Sequence, residues 1–310
     1  MRKKLFSFLL ASLAGVFLLT TGAPIHGAEA PQGQNLRISP PKQDVTVEKG
    51  SAKTQQVTIT NEQISPVTLA VSFKNITAAG EDGSIEPTDE VTPYDLKQWA
   101  TFSENEFTLG AKQSKTIDVT FTVPTVAEPG GHYGWLQFTP QIPGNTGNAV
   151  GIKGSVATLY LLTVPGPVKQ GGDIKDFYLT RQDGHKIGGF YLGHDLQILT
   201  RLHNSGNLHF AGSPIFTTFN QFGQQTFSQQ AAPGNVFPQS DRKYEAQWSK
   251  VKTGYYKVET FVTFPDEGQK SKVIRVLVVT PLVLGLVVAG ILLLIVIVVV
   301  LRHRRHRIKT

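Results

Sequence analysis

From Asn35 to Val164 apolar and polar residues alternate in short runs separated by turn residues, and a period of two predicts β-strands. In the run Thr116 to Val123, Ile117, Val119, Phe121 and Val123 fall on one face while Thr116, Asp118, Thr120 and Thr122 fall on the other. Val57–Thr60, Val67–Phe73, Gly134–Phe138 and Val156–Leu162 are equally rich in β-branched or aromatic residues, and together these runs predict an antiparallel sandwich. Val164-Pro165-Gly166-Pro167 and then Gly171-Gly172 stop the series, because proline cannot donate to a strand ladder. A second set follows at Phe177–Thr180, Leu196–Leu202, Ile215–Asn220, Lys243–Trp248, Tyr255–Phe264 and Val273–Val279.

The two sets read as copies. Leu109, Lys115, Ile117, Asp118, Val119 and Phe121 align without a gap on Val236, Arg242, Tyr244, Glu245, Ala246 and Trp248. Gly131-His132-Tyr133 and Gly254-Tyr255-Tyr256 then open the next strand in each copy, where a tyrosine is expected to hydrogen-bond back across the corner of its own sandwich. Val57 and Asn61 match Thr200 and Asn204, each asparagine ending a strand where its side chain can satisfy the following turn. The duplicated residues are therefore read as architectural.

The apolar pattern changes at both ends. Arg2, Lys3 and Lys4 precede the apolar stretch Leu5–Leu19, with small residues near Gly27 and Ala28, and this predicts a removed secretory leader. From Val276 to Leu301 no charge occurs, and ~20 apolar residues at 1.5 Å rise suffice to cross a bilayer. Arg302, Arg304, Arg305, Arg307 and Lys309 close that run, which under the positive-inside rule places the tail in the cytoplasm and the sandwiches outside. The expected organisation is a leader over 1–28, a first immunoglobulin-like sandwich over 29–164, a second over 165–275, a transmembrane helix over 276–301 and a basic tail over 302–310. This is an all-β fold of two tandem immunoglobulin-like β-sandwich domains plus one C-terminal transmembrane helix, in a single-pass type I plasma-membrane protein.

Charge follows from that organisation. Three of the 30 Lys+Arg sit in the leader and five in the tail, leaving 22 basic against 23 acidic residues between them. The basic balance is an addressing feature, and a nucleic-acid partner is not expected. The chain has no cysteine, which excludes a disulfide framework, thiolate chemistry and cysteine-ligated metals. Its stability must come from its two cores, and the absence of the inter-sheet disulfide points to a bacterial surface protein, in which Asn75-Ile76-Thr77 is a chance acceptor match.

These patterns resemble the bacterial WxL-interacting protein family and the wider group of immunoglobulin-like domains related to pilus-chaperone sandwiches. The resemblance rests on the leader, on Ile38-Ser39-Pro40, Val57-Thr58-Ile59-Thr60-Asn61, Trp99, Phe107-Thr108-Leu109-Gly110 and Val123-Pro124, on Asn204-Ser205-Gly206-Asn207, and on the terminal span with its basic tail. It implies a first domain that binds peptidoglycan and a second that binds a host or partner protein, on the outside of a Gram-positive cell. No site residue is carried over from it.

Little catalytic chemistry is legible. His185, His194, His203 and His209 with Asp195 could supply zinc ligands, but their spacings lack the His-Glu-x-x-His pattern; no metal and no cofactor is expected. No Gly-x-Ser-x-Gly elbow occurs. The acidic run Glu81 to Glu86 lacks the alternating oxygen ligands of a calcium loop and reads as part of a solvated connection from Thr77 to Glu106, in which Tyr94–Trp99 forms a short helical turn. Two segments remain as contact surfaces: Ile142–Gly151, with Gly144, Asn145 and Asn148, and Gln221–Gln230, with Phe222 and Phe227. Aromatic and amide side chains suit a glycan or a protein. In the competing arrangement Gln221–Gln230 is a long hairpin whose phenylalanines return to the core. The main expectation is a non-enzymatic surface protein that binds cell-wall glycan (peptidoglycan), a partner surface protein or both, with the bilayer engaged by the C-terminal helix. The alternatives are a membrane-tethered assembly partner that offers a sheet edge, as pilus chaperones do, and a metal-dependent hydrolase.

Overall fold

The computed structural model describes residues 36–141 and 154–307. The leader, the loop residues Gly144, Asn145 and Asn148 and the last tail residues lie outside the described residues. The fold is two tandem β-sandwiches followed by one helix. The first sandwich contains β1 (Leu36–Ser39), β2 (Lys42–Thr46), β3 (Ala52–Asn61), β4 (Val67–Ala79), β5 (Ser84–Thr88), β6 (Ala100–Phe102), β7 (Glu106–Leu109), β8 (Ser114–Thr122), β9 (Gly130–Gln141) and β10 (Val156–Val164). The second contains β11 (Gly172–Thr180), β12 (Lys186–Ile187), β13 (Phe190–Leu192), β14 (Leu196–Asn204), β15 (Phe210–Gly212), β16 (Ile215–Asn220), β17 (Gln225–Gln230), β18 (Gly234–Val236), β19 (Asp241–Trp248), β20 (Gly254–Phe264) and β21 (Gly268–Val279), before α1 (Pro281–Arg307).

In the first sandwich the sheet β1-β3-β8-β6 faces β2-β10-β9-β4-β5, with β7 also on β4. In the second, β12-β11-β14-β19 faces β13-β21-β20-β16-β17. Alternation along β8 does what the sequence predicts: Ile117, Val119 and Phe121 have no exposed surface. The opposite faces of β3 and β8 carry a hydroxyl ladder, Thr54 to Thr120 at 2.8 Å, Thr58 to Thr116 at 3.1 Å and Thr60 to Ser114 at 2.8 Å. Such cross-strand pairs join the sheet on its solvent side while the apolar side fills the core.

Each sandwich closes its last strand with a short parallel partner. β2 runs parallel to β10, and β13 runs parallel to β21. Neither pairing is antiparallel and neither is local, so alternation alone does not reveal them. The acidic segment also differs from the solvated connection expected: Asn75–Ala79 pairs with Ser84–Thr88 as a hairpin. Asp82 accepts hydrogen bonds from the Ser84 amide at 2.9 Å and its hydroxyl at 2.6 Å, so its carboxylate is committed to the turn and held below its usual range. Lys97–Trp99 does form a short 3-10 turn, and Trp99 stacks on His132 at 4.2 Å. Asn75 accepts the Leu96 and Lys97 amides at 3.0 and 2.8 Å and is buried, so it is not an exposed acceptor.

The apolar run is divided between two elements. Val276–Val279 complete β21, with Val276 and Val278 buried in the second core, and the helix begins at Pro281, not at Val276. Proline has no amide to donate and suits the first helical turn. Pro281–His303 is long and apolar enough to cross a membrane, and none of it is buried against the sandwiches.

Candidate functional site

The Gln221–Gln230 segment is a hairpin at the margin of the second sandwich. Asn220 organises its turn: its side-chain oxygen accepts the amides of Phe222 at 2.9 Å and Gln224 at 3.0 Å, and its amide nitrogen donates to Gln224 Oε1 at 2.9 Å. Gly223 sits at φ 77°, a conformation glycine adopts without strain. The turn leaves Phe222 77% exposed. Phe227 is half-buried, packs against the second core and lies 6.4 Å from the Trp248 ring. Of the two phenylalanines, one is offered to solvent and the other is part of the fold. Beside the turn lies an open depression of about 440 Å³, lined by Phe219, Gln221, Tyr255 and Lys257 among others.

β17 is the edge of its sheet, paired only with β16. The phase of its hydrogen bonds follows from the register. Pro214 lies one step before Ile215, which pairs with Gln230, and the Ala231 amide donates to Pro214 O at 2.8 Å. Antiparallel ladders alternate, so Gln229 and Phe227 amides also point to β16. The amides of Ser228 and Gln230 point outwards, away from the sheet. Soluble proteins block such edges with charge or proline. The other described edges are treated that way or are too short: β2 carries Lys42 and Asp44, β5 carries Glu86 and Pro87, and β6 has three residues. β19 is charged, and its Lys243 amide donates to Glu81 O of the β4–β5 hairpin at 2.6 Å. Among the described edge strands of five or more residues, β17, Gln-Thr-Phe-Ser-Gln-Gln, alone has neither charge nor proline.

The seam between the sandwiches is a second concave region, a cleft of about 360 Å³ lined by Tyr94, Tyr133, Phe237 and Pro238 among others. Several of its polar groups are already engaged. The Tyr133 hydroxyl accepts the His209 amide at 2.9 Å and pairs with His209 Nδ1 at 3.1 Å. Burial pushes the Tyr133 phenol well above its ordinary range. Tyr133 therefore bonds the neighbouring sandwich and not its own corner, whereas Tyr256 makes the expected local bond, donating to Lys252 O at 3.0 Å. Arg201 spans the same seam, reaching Asp176 and Glu81 at 2.8 Å each. Gly131 donates to Asn207 O at 2.8 Å, and Asn207 Nδ2 donates to Pro129 O at 3.0 Å. The seam is a joint.

The histidines do not converge. His203 pairs with Asp241 at 2.8 Å, His194 with Asp195 at 3.2 Å, His185 is exposed and His209 serves the seam. Among the described residues no group of three or more His, Asp or Glu is placed to hold a metal. His132 lies between Asp95 O at 3.3 Å and Glu128 O at 3.2 Å. Burial lowers both His132 and His209 below the usual 6.5, against the opposing pull of Glu128, Asp95 and Asp44. A lowered folded value means that keeping these rings neutral stabilises the fold fully above pH 6.5 and progressively less as pH falls through the folded values. Calorimetry from pH 7.5 down to 5 should show a falling unfolding temperature, and the His132→Gln, His209→Gln double variant should flatten that slope.

No family model matches the sequence, and no curated protein matches it. Solved structures similar to it include fimbrial chaperones and a PapD-like domain of human CEP192. A chaperone–tip adhesin complex of CFA/I fimbriae biogenesis shares 13% identity, with 77% of this chain and 98% of that one covered, at a TM-score of 0.43. The class 5 fimbriae chaperone CfaA shares 15% identity over 77% and 98%, at 0.40. The CsuC–CsuE chaperone–tip adhesion subunit pre-assembly complex from archaic chaperone-usher Csu pili of Acinetobacter baumannii shares 12% over 79% and 99%, at 0.39. At these identities the likeness is one of fold alone. None of them speaks for the WxL-interacting family.

Proposed function

We propose that this protein is a non-enzymatic, membrane-anchored binding protein that captures a second surface protein by pairing the free edge of β17 with a strand of its partner. The observation that carries the reading is that edge: six residues without charge or proline, with the Ser228 and Gln230 amides directed outwards. Main-chain hydrogen bonds supply the affinity in such strand addition, and the side chains beside the edge select the partner. Exposed Gln225, Gln229 and Gln230 favour an uncharged partner strand able to bond their amides. α1 crosses the membrane with its basic end in the cytoplasm, which holds both sandwiches on the outer side. The glycan reading has less support, because Phe227 faces the core and only Phe222 remains as a stacking surface among the described candidates.

Ser228→Pro tests the edge directly. The ring removes an outward amide and no bond to β16, so it should cost less than about 1 kcal/mol of stability. In full-length protein carrying a photo-crosslinker at Gln230, the adduct formed with surface-protein extract should vanish in this variant. An undiminished adduct would overturn edge pairing, and sedimentation with purified peptidoglycan that is indifferent to Ser228→Pro would favour wall binding in its place.

A further inference from the structure

Register places one end of the second sandwich at the root of α1. β21 stops at Val279, two residues before Pro281, and Tyr255 and Phe190 flank Leu277 on either side, with Leu192 beside Val279. In a strand, residues directly across a ladder share a face, so Phe190, Leu277 and Tyr255 stand abreast, with Leu192 one step nearer the helix. All four are exposed, Phe190 at 58%. Leu277 lies four residues from the helix, about 13 Å along the strand. Asn220 pairs with Tyr256, so the β16–β17 turn and its exposed Phe222 project from this same end. The β19–β20 connection, with exposed Lys250 and Lys252, lies there too: Val251 donates to His194 O at 2.8 Å, and the Thr253 and Thr280 hydroxyls meet at 2.9 Å. Arg181 follows Thr180, which pairs with Gln197. Among the described residues Arg181, Lys250 and Lys252 have no ion-pair partner, although Asp183 and Asp195 stand nearby.

We propose that this end of the second sandwich lies on the bilayer surface that α1 enters, with Phe222, Phe190 and Tyr255 at the boundary of headgroups and acyl chains and Lys250, Lys252 and Arg181 on anionic lipid phosphates. The inference rests on the reading of α1 as a membrane span. Two features select a lipid surface as the occupant: the patch is continuous with the apolar helix, and it combines aromatic rings with unpaired cations, the composition that interfacial anchoring uses. The β17 edge runs from this turn away from the helix root, so lipid contact at Phe222 leaves Ser228 and Gln230 free to pair. One consequence is orientation: the sandwich is held against the membrane by its own surface as well as by its tether.

Because the chain has no cysteine, single substitutions accept a fluorophore at one place only. Full-length protein labelled at Gln221→Cys, Leu292→Cys or Ser271→Cys would be reconstituted in phosphatidylcholine vesicles with and without phosphatidylglycerol, each containing nitroxide lipids as quenchers. Labels at 292 and 221 should be quenched and the label at 271, far up β21, should not. Quenching at 221 should be lost with Phe222→Ser, and should weaken with Lys250→Glu plus Lys252→Glu or without phosphatidylglycerol. A quenched 292 with an unquenched 221 would overturn the docking while leaving the span intact. An unquenched 292 would overturn the span and the docking with it, and equal quenching at 221 and 271 would overturn the assignment to this end.

Discussion

Asn204→Leu is expected to lower the unfolding free energy of the second sandwich by about 3–5 kcal/mol, and Asn61→Leu to do the same to the first. Asn204 has no exposed surface, and its side chain makes three bonds, donating to Leu208 O at 3.0 Å and Val236 O at 2.8 Å and accepting the Gly206 amide at 2.8 Å. Asn61 repeats the pattern, donating to Ser65 O at 2.8 Å and Leu109 O at 3.2 Å and accepting the Gln63 amide at 3.0 Å. Leucine keeps the branched outline of the side chain and satisfies none of these groups. Each buried backbone group left without a partner costs about 1–3 kcal/mol, so the loss exceeds that of an ordinary polar substitution. For a domain of roughly 100–150 residues 1 kcal/mol moves the midpoint by about 3–6 °C, so one calorimetric transition should fall by more than ~9 °C while the other stays in place. A shift under ~4 °C would mean that water reaches these carbonyls and that the asparagines do not close the turns.

The same residues mark how far the sequence can be read. Leu109 aligns with Val236 and Asn61 with Asn204 on pattern alone, and in each sandwich the asparagine bonds the carbonyl of the aligned partner. The duplication is legible because alternation and the residue at a strand end are local properties of the chain. What is not legible depends on which distant segments meet. Gly131-His132-Tyr133 and Gly254-Tyr255-Tyr256 look equivalent, yet Tyr133 bonds His209 across the seam because a second sandwich lies against it, and Tyr256 has no such neighbour. The β4–β5 hairpin reads as an acidic connection until β19 is placed beside it, where Glu81 meets both Lys243 and Arg201. Gly83, at φ 86°, leaves room there for the Arg242 guanidinium, which a Cβ would meet at 2.1 Å. For the candidate site, composition picks out Gln221–Gln230, but the irregularity between Thr218 and Phe219 shifts the strand phase, so parity cannot say that Phe222 is exposed and Phe227 turned inwards. The outward amides of Ser228 and Gln230 are a matter of register, which no single-strand pattern encodes.

Phe121→Ala should destabilise the first sandwich by about 3–5 kcal/mol, through a cavity and not through lost hydrogen bonds. Phe121 is fully buried on β8, its ring 4.9 Å from Tyr160 on β10 and 6.0 Å from Phe73 on β4. The three rings therefore join one sheet to the other across the core, and both contacts made by Phe121 are edge-on, the arrangement aromatic quadrupoles favour. Truncation removes the contact from both facing strands, and those strands are held by ladders on either side, so collapse into the gap is limited. Tyr160→Phe is the informative companion. Its hydroxyl receives only a 3.4 Å contact from Gln43, so losing it should cost less than about 1 kcal/mol while the ring stays in place. If Phe121→Ala instead costs no more than Tyr160→Phe, the ring cluster does not join the sheets, and the stability of this disulfide-free sandwich must be sought in its hydroxyl-laddered outer face.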